Sequence, residues 1–171
     1  TFVRHMHYIT TSNISIDLFV VRTVFKTLVT FAHHIVLYFI GLGLGLVPLV
    51  WTGVLAIPGI FLLFLNGFWV VAALAFLGAR FRDVELIVRN LLQLAFFFTP
   101  VFWNHEIVPI NRRFMVDYNP FYYFIEIIRS PLMGKVPELK QYLVVLGVTV
   151  VGFALTTLLY RHLRRQLAFY A

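Results

Sequence analysis

The residues that could carry chemistry in this chain are few and scattered. It contains no cysteine and seven carboxylates, of which Asp83 and Glu85 are the one pair close in sequence. A membrane-embedded enzyme such as a lipid-linked glycosyltransferase would need acids or bases that converge on a reaction centre, and this spacing disfavours one. His5 and His7 have no acid or cysteine beside them, so we expect no metal site there.

Three closely spaced glycines, Gly41, Gly43 and Gly45, superficially resemble a phosphate-binding loop. The stretch is apolar, follows no strand and lacks the Gly-Lys-Ser/Thr ending of such a loop. Small residues at this spacing favour close helix packing or a flexible turn instead. We therefore expect no catalytic residues and no cofactor in the chain itself, and any energy source must be another polypeptide.

The elements that would position polar residues are hydrophobic helices. The chain is 61% hydrophobic and 12% charged, whereas an ordinary soluble domain has about 25% charged residues. No Asp, Glu, Lys or Arg occurs between Lys26 and Arg80, and a helix needs only about 20 apolar residues to cross a bilayer. The pattern predicts one all-α, polytopic membrane domain over 1–171. Its four transmembrane helices are predicted at 27–47, 49–77, 86–103 and 142–160.

Local signals refine this arrangement. A glycine-rich turn before Pro48 makes the first two spans antiparallel neighbours. Near the end of the third span, Pro100 removes a backbone hydrogen bond and is expected to bend the helix. Isolated polar residues within the spans are expected to find partners on neighbouring helices. These residues are His33, His34, Asn66 and Gln93.

A short amphipathic helix is predicted between the third and fourth spans. Asn119 is a preferred capping residue and Pro120 suits the first helical position, while Pro131 should end the helix. At about 1.5 Å per residue it is too short to cross the bilayer. We expect it to lie in the outer interface or to re-enter it, as a surface seal or as a gate. The apolar face would hold Phe121, Phe124, Ile125 and Ile128, and the polar face Tyr122, Glu126 and Arg129.

The positive charges predict an orientation. Nine of the 14 Lys and Arg residues fall at the span ends of one side, and such residues favour the cytoplasm. Both termini are therefore expected to be cytoplasmic. The net charge of +7 is then explained by the orientation of the spans in the membrane, and it does not indicate nucleic-acid binding. The nine residues are Arg4, Arg22, Lys26, Arg80, Arg82, Arg89, Arg161, Arg164 and Arg165.

Two motifs resemble a known family. They are LGARFRDVELIVRNLLQLAFFFTPVFW at 77–103 and DYNPFYYFIEIIRSPLMG at 117–134. Their Arg-x-Arg-Asp turn, their Pro-aromatic step and their Asn-Pro helix that ends near Arg are similar to the membrane (permease) subunit of bacterial ABC polysaccharide exporters of the type-2 class. The resemblance extends from residue 13 to the C-terminus. Members have six spans, which implies that the first two are missing here.

The resemblance implies ATP-driven export of a lipid-linked polysaccharide, of the O-antigen, capsule or teichoic acid type, across the bacterial cytoplasmic (inner) membrane. Two copies of the permease would form the channel, and two copies of an ABC ATPase would bind ATP and Mg. A cytoplasmic coupling segment is expected at 13–22 and an outer gate at 105–141. The implied ATPase-coupling residues are Asp17, Arg22, Arg80, Arg82 and Asp83, and the implied outer-gate residues are Asn119, Pro120, Glu126 and Arg129.

Aromatic residues close to the predicted gate admit two interpretations. They could form an ordinary interfacial belt, or they could face inward and offer flat surfaces for sugar rings, in which case Phe97, Trp103 and Tyr122 are the candidate channel aromatics. A permease for small hydrophobic drugs, with a narrow sealed cavity, is the alternative function. A membrane enzyme or a purely structural anchor is less favoured.

Overall fold

The computed structural model describes residues 16–81, 83–100, 109 and 113–167; for 16, 17, 79, 115 and 163–167 it describes the backbone alone. This part of the chain is all-α, as predicted. Its elements in chain order are α1 (Ile16–Gly43), a 3₁₀ turn (Trp51–Leu55), α2 (Ala56–Arg80), α3 (Val84–Phe98), α4 (Phe114–Asp117), α5 (Pro120–Leu132) and α6 (Leu139–Leu167).

Three segments of the described chain are long and apolar enough to cross a membrane. They are Leu18–Gly43, Trp51–Gly78 and Leu139–His162, and they correspond to the first, second and fourth predicted spans. The first begins nine residues before its predicted start at 27, because α1 continues through Arg22 and Lys26. Those two basic residues therefore lie within the span and not at its end.

The prediction of four full-length spans is not confirmed. Helix α3 has 15 residues, which corresponds to about 22 Å at 1.5 Å per residue. It ends at Phe98 because Thr99 is extended, with φ −94° and ψ 132°, and a residue that precedes proline is disfavoured in the α conformation. Pro100 thus follows the end of the helix, where a bend within it was expected. Residues 101–108 lie outside the described residues.

The glycine-rich stretch is a helix terminus. Gly45 has a positive φ of 70°, and its N–H donates to the carbonyl of Leu42, while the N–H of Leu46 donates to the carbonyl of Gly41 at 2.9 Å. This pair of bonds is a Schellman motif, in which glycine adopts the left-handed conformation at low steric cost. The motif ends α1 and starts the return of the chain toward α2.

Helix α2 lies at the centre of the bundle, with α1 on one side. The rings of Phe31 and Phe64 meet edge to face with centroids 5.6 Å apart, and Val24 lies near Gly67. The contacts run forward along α1, from Val24 to Phe31, but backward along α2, from Gly67 to Phe64. The two helices are therefore antiparallel. The predicted helical hairpin is confirmed.

On another side of α2, helix α6 runs in the same direction. The Tyr142 hydroxyl donates to the Leu55 carbonyl at 2.7 Å, and the rings of Phe76 and Tyr160 have centroids 5.4 Å apart. Arg80 and Arg161 therefore lie at one end of the bundle, here called the basic end. Since α2 and α6 are parallel, the chain must return between them, and α3 makes that return.

Helix α5 packs at the opposite end of the bundle, here called the α5 end. Ile127 and Val145 are fully covered, and Thr52 Oγ1 donates to the Pro131 carbonyl at 2.8 Å. A Cβ placed on Gly59 would lie 2.7 Å from the Ile127 carbonyl oxygen, so the backbones of α2 and α5 approach closely. The short helix is therefore docked on the bundle.

Much of the apolar surface is left uncovered by the described residues. No residue of α3 is buried, and Phe25 and Leu37 of α1 are 64% and 65% exposed. Apolar faces of this extent are normally covered by lipid or by another protein. The fold therefore has the surface of a membrane subunit.

Candidate functional site

The predicted cap of α5 is confirmed in atomic detail. Asn119 is extended, its side-chain oxygen Oδ1 accepts from the N–H of Phe121 at 3.0 Å, and Pro120 occupies the first helical position. The Asn119 amide nitrogen Nδ2 also donates to Thr99 Oγ1 at 3.0 Å and to the Phe98 carbonyl at 3.3 Å. Asn119 therefore joins the start of α5 to the end of α3.

The buried face of α5 contains Tyr122 and Glu126, two of the three residues predicted for its polar face, together with Ile127 and Ser130. Glu126 is only 8% exposed and accepts a hydrogen bond from Ser130 Oγ, whereas Phe121 is 44% exposed. The sequence predicted the residues of a polar face but not which side of the helix would be buried. In an apolar environment polar groups are more stable when they face the bundle interior, where partners are available.

Tyr122 belongs to this buried face. Its ring meets that of Tyr123 with centroids 5.2 Å apart, and both pack in the core that contains Ile127 and Val145. Burial, followed by the nearby Glu126 carboxylate, raises the pKa of Tyr122 from 10.0 to about 12. The phenol is therefore neutral at physiological pH. Because its pKa is higher in the folded protein than in the unfolded chain, the stability of this core falls only as the pH rises from about 10 to about 12.

Arg129 lies on a different side of α5. Its guanidinium group donates to the Pro100 carbonyl at 3.1 Å. Of the four predicted gate residues, the structure therefore brings Asn119 and Arg129 to residues 98–100, and it places Pro120 at the helix start and Glu126 in the interior. The four residues share one helix but do not converge on one point.

The predicted coupling residues are exposed where they are described. Arg22, Arg80 and Asp83 have exposed side chains. Arg82 and the side chain of Asp17 lie outside the described residues, as do 13–15 of the proposed coupling segment. Arg80 lies over the Phe81 ring, with its guanidinium carbon 5.9 Å from the centroid. Arg80 and Asp83 lie at the basic end of the bundle, whereas Arg22 lies within the first span.

Of the candidate channel aromatics, the structure describes Phe97 and Tyr122, whose rings differ in exposure. Phe97 is 68% exposed and meets the Phe96 ring edge to face at 5.9 Å. The ring of Tyr122 is covered by protein and presents no free face, and Trp103 lies outside the described residues. Phe97 is therefore the member of this set whose ring is accessible in the structure.

The polar residues in the predicted spans differ in burial and in their hydrogen-bond partners. Asn66 is buried and connects α2 to α6, because its Nδ2 donates to Thr149 Oγ1 at 2.7 Å; its Oδ1 accepts from Trp69 Nε1, also at 2.7 Å. This expectation of a partner on a neighbouring helix is confirmed. His33 and His34 are exposed and bond to carbonyls of their own helix. Gln93 is exposed on α3, without a described helix against it.

Sequence reasoning missed two features of this region. Thr99 was noted only as the residue before a proline, yet it is 3% exposed and is the contact between α3 and Asn119. Ser130 was not singled out, although its spacing of four from Glu126 places the two on one face of the helix. No local signal reveals the first contact, since it joins residues 20 positions apart.

An apolar groove of ≈ 540 Å³ lies between α1, α2 and α5. The apolar side of α5 forms much of its wall. Residues that line it include Tyr38, Val47, Leu63, Phe124, Ile128 and Leu132. No group of three His, Asp or Glu side chains within the described parts of the chain could hold a metal ion.

Comparison with known proteins gives one family. The model of the family described as "ABC-2 type transporter" matches residues 2–133, a segment that includes α1 to α5 and most of the site described above. The search of curated proteins gave no match.

Proposed function

This chain belongs to the ABC-2 type transporter family, and on that premise we propose that it is the channel-forming subunit of an exporter for a lipid-linked polysaccharide in the bacterial cytoplasmic membrane. A member of this family is a membrane permease and not an enzyme, and such permeases pair with ATPase subunits. The proposed cargo is a polymer of the O-antigen, capsule or teichoic acid type.

The observation that carries the proposal is one face of α3, on which the amides of Asn90 and Gln93 lie beside the ring of Phe97. We call it the polar face of α3. Spacings of three and four residues place these exposed side chains on one side of the helix. Amide groups on a membrane helix are unfavourable against lipid, whereas they can hydrogen-bond to hydroxyl groups. An accessible aromatic ring beside them offers an apolar surface for the face of a sugar. Two copies of the chain would each contribute one such face.

The basic end supports the proposed arrangement of subunits. An excess of Arg and Lys at span ends favours the cytoplasmic side, so we place Arg80, Asp83 and both termini of this chain in the cytoplasm. Two ATPase subunits would dock there, bind ATP and Mg and drive transport. The exposed charges of Arg80 and Asp83 would contribute to that contact.

Charge reversal at the basic end tests this contact. In tagged permease purified from its native membrane, Arg80→Glu should lower recovery of the ATPase subunit about fivefold, as expected if about 1 kcal/mol of exposed charge interaction is lost. Quantitative mass spectrometry of the purified complex measures this. Lys140→Glu, an exposed charge beyond the α5 end of the bundle, is the matched control. Reproducible absence of any ATPase from the intact wild-type complex would overturn the proposed function.

Substitution of the accessible ring tests the transport path. Phe97→Ala should slow polymer export roughly two- to tenfold, because a contact with an aromatic face is worth about 0.5–1.5 kcal/mol, with membrane insertion unchanged. Pulse labelling of surface polymer measures the export rate. Phe98→Ala removes an equally large exposed ring from the neighbouring face of α3 and should have little effect. Equal rates for Phe97→Ala, Phe98→Ala and the wild type would contradict stacking at this position.

The apolar groove favours one alternative, export of small hydrophobic compounds. Its volume lies within the roughly 300–1,000 Å³ typical of small-molecule sites, and its wall is formed by apolar parts of side chains. Reconstituted vesicles distinguish the two functions. ATP-dependent extrusion of a fluorescent hydrophobic dye, combined with unchanged surface polymer in a deletion strain, would favour the alternative.

A further inference from the structure

Helix α3 is held in this chain at its two ends. None of its residues is buried, from Val84 to Phe98, yet the two residues that follow, Thr99 and Pro100, are both buried. At the basic end α3 follows closely after α2, and the N–H of Val84, its first residue, donates to the Phe81 carbonyl at 3.4 Å. The helix thus has its firmest described attachment beyond its last residue, at the α5 end.

That attachment consists of three side-chain hydrogen bonds, here called the α3 latch. Asn119 Nδ2 donates to Thr99 Oγ1 and to the Phe98 carbonyl, and the Arg129 guanidinium donates to the Pro100 carbonyl. Asn119 and Arg129 are ten positions apart on α5, so the end of α3 is tied to that element at two separate points.

The hydrogen-bond chemistry permits one arrangement of the latch. Thr99 Oγ1 donates its proton to the Ala95 carbonyl at 2.6 Å, which leaves its lone pairs to accept from Asn119. The Phe98 carbonyl can only accept and the Phe121 N–H can only donate, so the nitrogen of the Asn119 amide must face α3 and its oxygen must face α5. Each polar atom of the Asn119 side chain therefore has a defined partner.

Helix α5 is a firm support for the latch. It is docked on α2 through Gly59 and on the 3₁₀ turn through the bond from Thr52 to Pro131, and Ile127 is fully buried in the core. Because no residue of α3 is buried within the described part of the chain, the helix can change its tilt about this support with little disturbance of the core.

From this geometry we propose that the α3 latch is the pivot about which α3 tilts during transport, with Thr99, Asn119 and Arg129 as its positioning residues. This inference rests on the proposed function, since the tilt would move the polar face of α3 and so change the width of the path. Displacement is small near Phe97 and grows toward Ile87, close to the charged turn at the basic end.

Spin-label distances test the pivot. The chain has no cysteine, so Phe97→Cys or Ile87→Cys can each be paired with Val54→Cys on the 3₁₀ turn; all three side chains are more than half exposed. Distances are measured by double electron–electron resonance in the permease–ATPase complex in lipid nanodiscs. Between nucleotide-free and ATP-trapped complexes, the Ile87–Val54 distance should change more than the Phe97–Val54 distance.

Two latch variants separate positioning from capping. Asn119→Asp retains the oxygen that caps α5 but loses both donors to α3, and Thr99→Val loses the acceptor with little change of volume. Without nucleotide, each should replace the single narrow Phe97–Val54 distance by a broad distribution. Thr99→Ser, which keeps the hydroxyl, and Arg89→Gln, which breaks an exposed ion pair elsewhere on α3, should leave it narrow.

The outcomes distinguish the pivot from the proposed function. An unchanged Phe97–Val54 distribution in both latch variants overturns the pivot, as does an equal ATP-dependent change at Phe97 and Ile87 in the wild type. Because the latch variants are compared without nucleotide, that result does not depend on the identity of the cargo or of the ATPase. Absence of the ATPase from the complex would count against the proposed function separately.

Discussion

Replacement of Gly152 by alanine should destabilise the permease strongly. A Cβ at this position of α6 would overlap the indole ring of Trp69 on α2, and forced overpacking of this kind costs about 1–3 kcal/mol. Displacement of Trp69 would also remove the donor to Asn66, and leaving that buried oxygen without a partner costs about another 1–3 kcal/mol. The expected result is a clearly lowered midpoint of thermal unfolding and less monodisperse protein in detergent.

Gly147→Ala is the matched control for this prediction. It makes the same change in the same helix, but no atom lies within 4 Å of the added Cβ. There alanine should be neutral or stabilising by roughly 0.5–1 kcal/mol, since glycine weakens a helix interior. Equal midpoints for Gly152→Ala and Gly147→Ala would show that Trp69 does not press against the backbone of α6.

Gly59→Ala is expected to loosen α5 from the bundle. Its Cβ would lie 2.7 Å from the Ile127 carbonyl oxygen and 3.2 Å from the carbonyl carbon, and a backbone cannot yield as the end of a flexible side chain can. Helix α5 would have to shift, which disturbs the packing of Ile127 and the bond from Thr52 to Pro131. The cost is about 1–3 kcal/mol, and hydrogen exchange of the α5 amides should accelerate.

The control for Gly59 lies in the same helix. At Gly67 the nearest atoms to an added Cβ are 3.9 Å away, on Val24 of α1, which is ordinary contact. Gly67→Ala should therefore leave the exchange of α5 amides unchanged. If Gly59→Ala also left α5 fully protected, the close approach of α2 and α5 would not be what holds the short helix.

Three local features of the fold could be predicted because nearby residues decide them. Asn119 followed by Pro120 starts a helix through its own side chain and its fixed φ, and the cap is present. The ion pair between Glu85 and Arg89, at 3.4 Å, follows from their spacing of four on a helix. The long uncharged run between Lys26 and Arg80 folds into two antiparallel helices.

The sequence left α3 and α5 incompletely described, for different physical reasons. At α3 the restriction that Pro100 places on Thr99 prevailed over a hydrophobic pattern that continues to Trp103. At α5 the periodicity placed Tyr122, Glu126 and Arg129 on one face but could not say which side of the helix is buried, and Arg129 is not among the buried residues. That choice depends on the surroundings: Ser130 and the core around Ile127 give the side of Tyr122 and Glu126 its partners.

The sequence by itself determined that this is a helical membrane protein with no enzyme chemistry of its own, and its motifs indicated the transporter family. Those properties follow from composition, from backbone preferences and from contacts three or four residues apart. Only the tertiary structure decided that Thr99 contacts Asn119, that Trp69 packs on Gly152 and that Tyr122 and Glu126 of α5 face the bundle interior. Each of these contacts joins segments far apart in the chain, whose relative position is set by packing.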